Sequence, residues 1–264
     1  MIRRRAYLII PASLLVLLLG MFMSGVVGPI RPTQAGLIGD SPVLIGRDDD
    51  NVDNPVIQPP DTEVNQSLNN TDILRADTGN HVAIGLLGND VLLGGPSRDI
   101  TIGGPEQGET PNSDVIFGYS DDDVNIWAPG DGSDAFLGGD GDLDAMVFGV
   151  IDRDDDNVPT LTDPVGGFPE GVPTADVSGL GGFCTLERVE DPDLGYEFLA
   201  RFFVRATGAL AVTIRLSEVE QVFCASEEGG QITYADLTEA DPEFVNVELY
   251  QVEELNSLVA QIIR

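Results

Sequence analysis

Apolar residues between positions 72 and 149 arrive in short runs at a nearly constant interval. Ile73-Leu74, Val82-Ala83-Ile84, Val91-Leu92-Leu93, Ile100-Thr101-Ile102, Val115-Ile116-Phe117, Val124-Asn125-Ile126, Ala135-Phe136-Leu137 and Ala145-Met146-Val147 each follow directly on Asp72, His81, Asp90, Asp99, Asp114, Asp123, Asp134 and Asp144 in turn. The steps between these leading residues are 9, 9, 9, 15, 9, 11 and 10. An amphipathic helix repeats its apolar face at a period near 3.6, so turn plus three-residue strand at nine-residue spacing predicts short strands stacked into a parallel β-solenoid. Asp-rich turns between short apolar runs also fit a β-sandwich, but three successive nine-residue steps, resumed after an insertion between Gly104 and Asp114, favour the solenoid.

The triplet centres are Leu74, Ala83, Leu92, Thr101, Ile116, Asn125, Phe136 and Met146, and their flanks are at least as apolar. Strand side chains alternate faces, so either both faces of the stack are partly apolar or the buried face is shifted by one residue. A covering element is therefore expected, and the C-terminal region is the candidate.

Aligned on the Asp, the units read GLLGNDVLL from Gly85, GGPSRDITI from Gly94, ETPNSDVIF from Glu109, GYSDDDVNI from Gly118, PGDGSDAFL from Pro129 and GGDGDLDAMV from Gly138. They resemble the calcium-binding nonapeptide of the repeats-in-toxin (RTX) family, G-G-x-G-x-D-x-U-x with U a large apolar residue. The resemblance implies an all-β fold, a parallel β-roll of nonapeptide repeats, in which turn carbonyls and Asp carboxylates of stacked turns bind Ca2+ jointly. Carried over by position, the ligands are Asp90, Asp99, Asp114, Asp123, Asp134 and Asp144, with Asp121, Asp131, Asp140 and Asp142 inside the turns as further carboxylates. Ca2+ suits such a set because it takes six to eight oxygens, carbonyl or carboxylate. His81 departs from the pattern, since a neutral imidazole is a poor ligand for a hard cation. The glycine places are also incompletely filled: only Gly138, Gly139 and Gly141 fill all three.

The chain carries 45 acidic and 13 basic residues for a net charge of −32, and it contains no Lys. Such a surface repels nucleic acid and anionic lipid and leaves cations as natural partners. Residues 72–149 hold 15 acidic and 2 basic residues, so the roll is expected to depend on metal for folding. A high-salt habitat is an added explanation of the acidity, but only Ca2+ explains the spacing.

Arg3, Arg4 and Arg5 precede a long apolar stretch that ends in small residues near Ala35. This predicts a signal peptide over 1–35, or an uncleaved signal anchor, with the remainder extracellular, secreted or held at the outer membrane face. In that compartment Cys184 and Cys224 are expected to form one structural disulfide.

Residues 36–71 and 150–179, rich in Pro, Asp and Asn, read as linkers around the repeats. Asp152, Asp154, Asp156, Asn157 and Asp163 resemble an EF-hand calcium loop without its flanking helices, and a solvated acidic linker is the simpler reading. Residues 180–264 are expected to form a small β-rich domain. It has a hairpin about Thr207-Gly208, strands near 219–224, 231–234 and 244–252, and a C-terminal amphipathic helix docking through Leu255, Leu258, Val259, Ile262 and Ile263. A cell-surface or matrix ligand could be met by this region.

One His, no Lys and two cysteines offer few catalytic groups, so the expected function is a non-enzymatic, exported calcium-binding protein with a structural or surface-interaction role. The alternative is a carbohydrate-active or carbohydrate-binding protein on a β-solenoid, using Tyr119 and Trp127 against sugar rings.

Overall fold

The computed structural model describes residues 36–38, 41–45, 73–76, 78–105, 113–153 and 175–262. The triplets become strands that alternate between two parallel sheets. One sheet takes β3 (Ile73–Arg75), β5 (Val91–Gly95), β7 (Val115–Ser120) and β9 (Ala135–Asp140); the other takes β4 (Val82–Ile84), β6 (Ile100–Ile102), β8 (Val124–Trp127) and β10 (Ala145–Phe148). Each coil therefore consumes two nonapeptides, which makes the molecule a β-solenoid of the roll type. Register survives the insertion, because Val91 still pairs with Val115 and Ile100 with Val124.

The two-sheet winding explains the excess of apolar flanks. Leu74, Ala83, Leu92, Ile116, Phe136 and Met146 fill the space between the sheets. Thr101 and Asn125 also sit there, satisfied by a hydrogen bond from Asn125 Nδ2 to Thr101 Oγ1 at 2.9 Å. On the β4 to β10 sheet the flanks Val82, Ile84, Ile100, Ile102, Val124, Ile126 and Val147 form a second, outer core, covered by α1 (Leu249–Ile262) through Leu255, Leu258, Val259 and Ile262. The sheet of β3 to β9 has no such cover among the described residues, and its strands alternate buried and half-buried positions.

The β-rich C-terminal region and its helix are both present, and the region is continuous with the roll. The hairpin of β14 (Phe198–Val204) and β15 (Ala209–Ser217) turns at Gly208, and Arg215–Ser217 of β15 pairs in parallel with β9. β16 (Gln221–Ala225) pairs in parallel with β10, so one further coil is laid on the stack; β17 (Ile232–Asp236) and β18 (Val245–Asn246) then extend its sheet. β13 (Gly182–Arg188) edges the other sheet, and the Cys184–Cys224 disulfide, Cα–Cα 6.1 Å, ties it to β16 across the core. The strand expected over 244–252 is cut to two residues, because the helix already begins at Leu249.

Strands form within both expected linkers. β1 (Gly36–Ile38) and β2 (Ser41–Ile45) pair with each other, and β2 pairs in parallel with β4. An exposed edge of main-chain donors and acceptors is a ready template, and the short run Val43-Leu44-Ile45 supplies the strand. β11 (Val150–Ile151) pairs with β12 (Ala175–Asp176), with Ile151 and Ala175 buried in the outer core. The expected signal segment, Asp72, and Asp154, Asp156, Asn157 and Asp163 of the EF-hand-like run lie outside the described residues.

The second turn position is left-handed at Leu86, Gly95, Gly104, Tyr119, Gly130 and Gly139, whether or not glycine occupies it. At Gly139, φ is +117° and a Cβ would lie 2.3 Å from the Tyr119 carbonyl oxygen of the neighbouring coil. Gly139→Ala is expected to cost about 3 kcal/mol, a fall of roughly 10 °C in melting temperature by calorimetry; an unchanged Tm would contradict this coil spacing.

Candidate cation site along the turns

Six of the carboxylates singled out by spacing, Asp90, Asp99, Asp114, Asp123, Asp134 and Asp144, are all buried, none more than 2% exposed. They form two ladders, one along each edge of the roll. On the first, the His81 N–H donates to Asp99 Oδ1 at 2.6 Å, the Asp99 N–H to Asp123 Oδ1 at 2.7 Å, and the Asp123 N–H to Asp144 Oδ1 at 2.7 Å. On the second, the Asp90 N–H donates to Asp114 Oδ1 at 2.6 Å and the Asp114 N–H to Asp134 Oδ1 at 2.9 Å. Main-chain carbonyls complete the stitch: Asp90 O accepts from Val115 N, Asp99 O from Val124 N, and Asp123 O from Ala145 N.

One oxygen of each rung is thus committed to the neighbouring coil. The second oxygen, Oδ2, of Asp99 and Asp123 is buried and has no hydrogen-bond partner. It lies against the glycine that opens its own turn, where a carbonyl of the next coil also converges. A Cβ on Gly94 would meet Asp99 Oδ2 at 2.8 Å and Gly118 O at 2.9 Å; one on Gly118 would meet Asp123 Oδ2 at 2.2 Å and Gly138 O at 2.4 Å. Gly85 faces Asp90 Oδ2 and Gly103 O in the same way. Glycine at the first turn position keeps these oxygen pairs unobstructed.

Burial disfavours the charged form, so these carboxyls titrate high. Desolvation, reinforced by Asp99, pushes Asp123 up to about 9, and desolvation pushes Asp134 and Asp144 up to about 7 against the hydrogen bonds that favour ionisation. Asp99 is raised by burial too, with His81 Nδ1 at 3.3 Å from its Oδ1 opposing the shift.

The turn carboxylates behave differently. Asp131 has both oxygens engaged, accepting from Arg153 at 3.0 Å and from the Ala128 N–H at 2.9 Å, so it braces a turn rather than waiting for a cation. Asp121 is exposed and pairs with Arg98 at 2.9 Å, while Asp140 and Asp142 point to solvent. Trp127, a candidate for sugar stacking, is buried against Phe148 and Phe202 and donates to Asp131 O and Gly132 O, so it has no face to offer. Tyr119 remains exposed, stacked on Phe117.

Sequence reasoning missed Glu220. The Asp144 N–H donates to Glu220 Oε2 at 2.8 Å, which makes Glu220 the last rung of the first ladder. It obeys the same grammar, an acid directly before Gln221-Val222-Phe223, and its 76-residue separation from Asp144 conceals it.

Among the described residues no three His, Cys, Asp or Glu side chains converge tightly enough to hold a metal alone. A cation here would draw part of its shell from main-chain oxygen, and orphaned carboxylate oxygens facing carbonyls, all hard donors, fit Ca2+. No helix among the described residues is long and apolar enough to cross a membrane. Comparison of the chain with protein-family models, curated proteins and solved structures gave no match. The class is therefore set by the fold itself, a two-sheet parallel β-solenoid with buried carboxylate ladders along its turns.

Folding raises the Asp123 carboxyl far above its unfolded value near 4. Its stabilising contribution is then complete below pH 4 and is lost as pH rises through about 9, with Asp134 and Asp144 losing theirs through about 7. In EDTA the melting temperature should fall between pH 5 and pH 8, and Asp123→Asn, which keeps the acceptor for Asp99 N–H, should be more stable than wild type at pH 8 by on the order of 5 °C. A pH-independent Tm in EDTA would show that these carboxyls are not buried as described.

Proposed function

We propose that this chain is an exported calcium-binding protein whose RTX-like roll takes up Ca2+ between stacked turns. The observation that carries the reading is the recurrence of an unpartnered, buried Asp oxygen facing a carbonyl of the next coil, at Gly94 and again at Gly118. A buried carboxylate without a counter-charge is costly at neutral pH, and a divalent cation shared between coils offsets that cost while joining them. The local excess of 15 acidic over 2 basic residues in 72–149 supports a cationic ligand and argues against nucleic acid. Export follows from the Arg cluster and apolar stretch at the N-terminus, and from a disulfide suited to an oxidising compartment. Roughly millimolar extracellular Ca2+ matches sites of modest affinity. The role is structural or surface-directed, with calcium stiffening the roll.

The test is a Ca2+ titration of the full-length protein by isothermal calorimetry and thermal melting, with Mg2+ and NaCl at matched ionic strength. Several Ca2+-specific sites and a rise in Tm of roughly 5–10 °C over EDTA are expected, diminished in Asp99→Ala and Asp123→Ala. An equal gain from NaCl would assign the effect to charge screening, and no heat with no shift would end the calcium reading.

A further inference from the structure

We propose that the outer face of the sheet containing β9, where the loop of residues 189–197 overhangs it, is a binding groove for a neutral linear glycan of pyranose rings. The proposal does not rest on the calcium reading of the roll.

The groove follows from the way the hairpin joins the stack. Ala135, Arg215, Leu199 and Glu187 are register partners on β9, β15, β14 and β13, so their side chains share one face, and none of the four is fully buried. Leu137 and Ser217 form a second pair on that face. Over this floor stand Leu194, 53% exposed, and the half-buried Tyr196. The loop that carries them is pinned at both ends. Val189 N–H donates to Glu197 O at 2.7 Å and Glu197 N–H donates to Leu216 O at 2.8 Å. Between these anchors a single 3-10 turn, Pro192–Leu194, is capped by Asp191 and closed by Gly195 at φ +77°. Two cavities of about 520 and 300 Å³ meet at Leu194 and Tyr196, which line both. The larger extends toward Glu187 and Arg188, the smaller toward Ala135 and Arg215, and each has the size of a ligand site.

Three features select the occupant. First, β9, β15 and β14 each have a strand on both sides, so the floor offers no main-chain edge to an added peptide strand and recognition falls to side chains. Second, the groove crosses four strands, roughly 14 Å at the usual strand spacing. A pyranose is about one spacing long, so a linear chain sets one ring over each strand. Third, sugar hydroxyls both donate and accept, and the groove supplies both roles. Glu190 and Arg215 are exposed and Ser217 is half-buried; Arg215 Nη1 donates to Ser133 O at 3.1 Å, which aims the guanidinium and leaves its other N–H groups for a ligand. Tyr196 and Leu194 give the apolar wall against which the C–H face of a ring packs. Charges of both signs alternate here, Glu187 and Glu190 with Arg188 and Arg215, while the chain as a whole carries −32 and repels acidic polysaccharide, so the fitting glycan is neutral.

Native affinity electrophoresis of the full-length protein, in Ca2+ and in EDTA, tests this with gels containing soluble β-glucan, xylan or galactomannan and, for comparison, the acidic alginate and polygalacturonate. Isothermal titration with the hexasaccharide of the retaining polymer then gives the affinity. At least one neutral polymer should retard the wild type, and Tyr196→Ala should weaken the hexasaccharide roughly tenfold with an unchanged melting temperature. Tyr196→Phe, which keeps the ring, should stay near wild type, and so should Tyr250→Ala on the exposed side of α1. Leu194→Ala, at an exposed position, should weaken binding in the same direction as Tyr196→Ala. No retardation by any neutral polymer in either condition, stronger retardation by the acidic polymers, or wild-type affinity in both Tyr196→Ala and Leu194→Ala would overturn the groove. Self-association in sedimentation velocity that Tyr196→Ala abolishes would give the face to a second copy of this chain and overturn the glycan reading.

Discussion

The structure depends on one hydrogen bond repeated along each edge: the main-chain N–H of an Asp held by the carboxylate of its equivalent in the next coil. It sets the coil-to-coil register at the corners, where strands of three residues carry too few ladder bonds to do so alone. The same bond buries a charge-bearing group, and a buried carboxylate must find a proton, a cation or an Arg. Asp131 shows the third solution with Arg153, and residues 72–149 hold only two basic residues, too few to apply it to every rung. The extreme acidity and the fold are thus two sides of one constraint.

The nonapeptide spacing made the roll legible, because a solenoid writes its geometry directly into sequence period. Leu92, Ile116 and Phe136 fall inside as their central positions require, and the six leading carboxylates line up as the alignment implied. The roles of Asp121, Asp131 and Glu220 were not legible. Asp131 and Asp121 lie inside the turns, and whether such a carboxylate is braced or left at the surface depends on where Arg153 and Arg98 lie, which spacing does not encode. Glu220 depends on a parallel pairing between segments distant in the chain, and such pairing leaves no local periodicity. The order of residues 41–45 was hidden for a similar reason, since a short strand in polar surroundings is recruited by the edge it covers.

The two sheets meet different environments. One is sealed by α1, whose apolar face shares an outer core with Phe223 and Tyr234 of the same sheet, so that its strands are buried on both faces. The other keeps half-buried Val91, Val115 and Leu137 in rows beside the stacked Phe117 and exposed Tyr119. The apolar flanks of the triplets therefore serve two ends, a second core on one side and a flat, modestly greasy face on the other.

The closing coil also sets a chronology. Neighbouring rungs within the repeats are separated by only 18 to 24 residues, short loops that close quickly, whereas the final rung waits for a segment 76 residues further on. A chain made or exported from its N-terminus therefore grows the roll with its C-terminal end raw, offering unpaired strand edges to any neighbour until the hairpin arrives. The interval before that arrival is when the protein is most exposed to misassembly, and its length is fixed by the route of the chain rather than by the strength of any single contact.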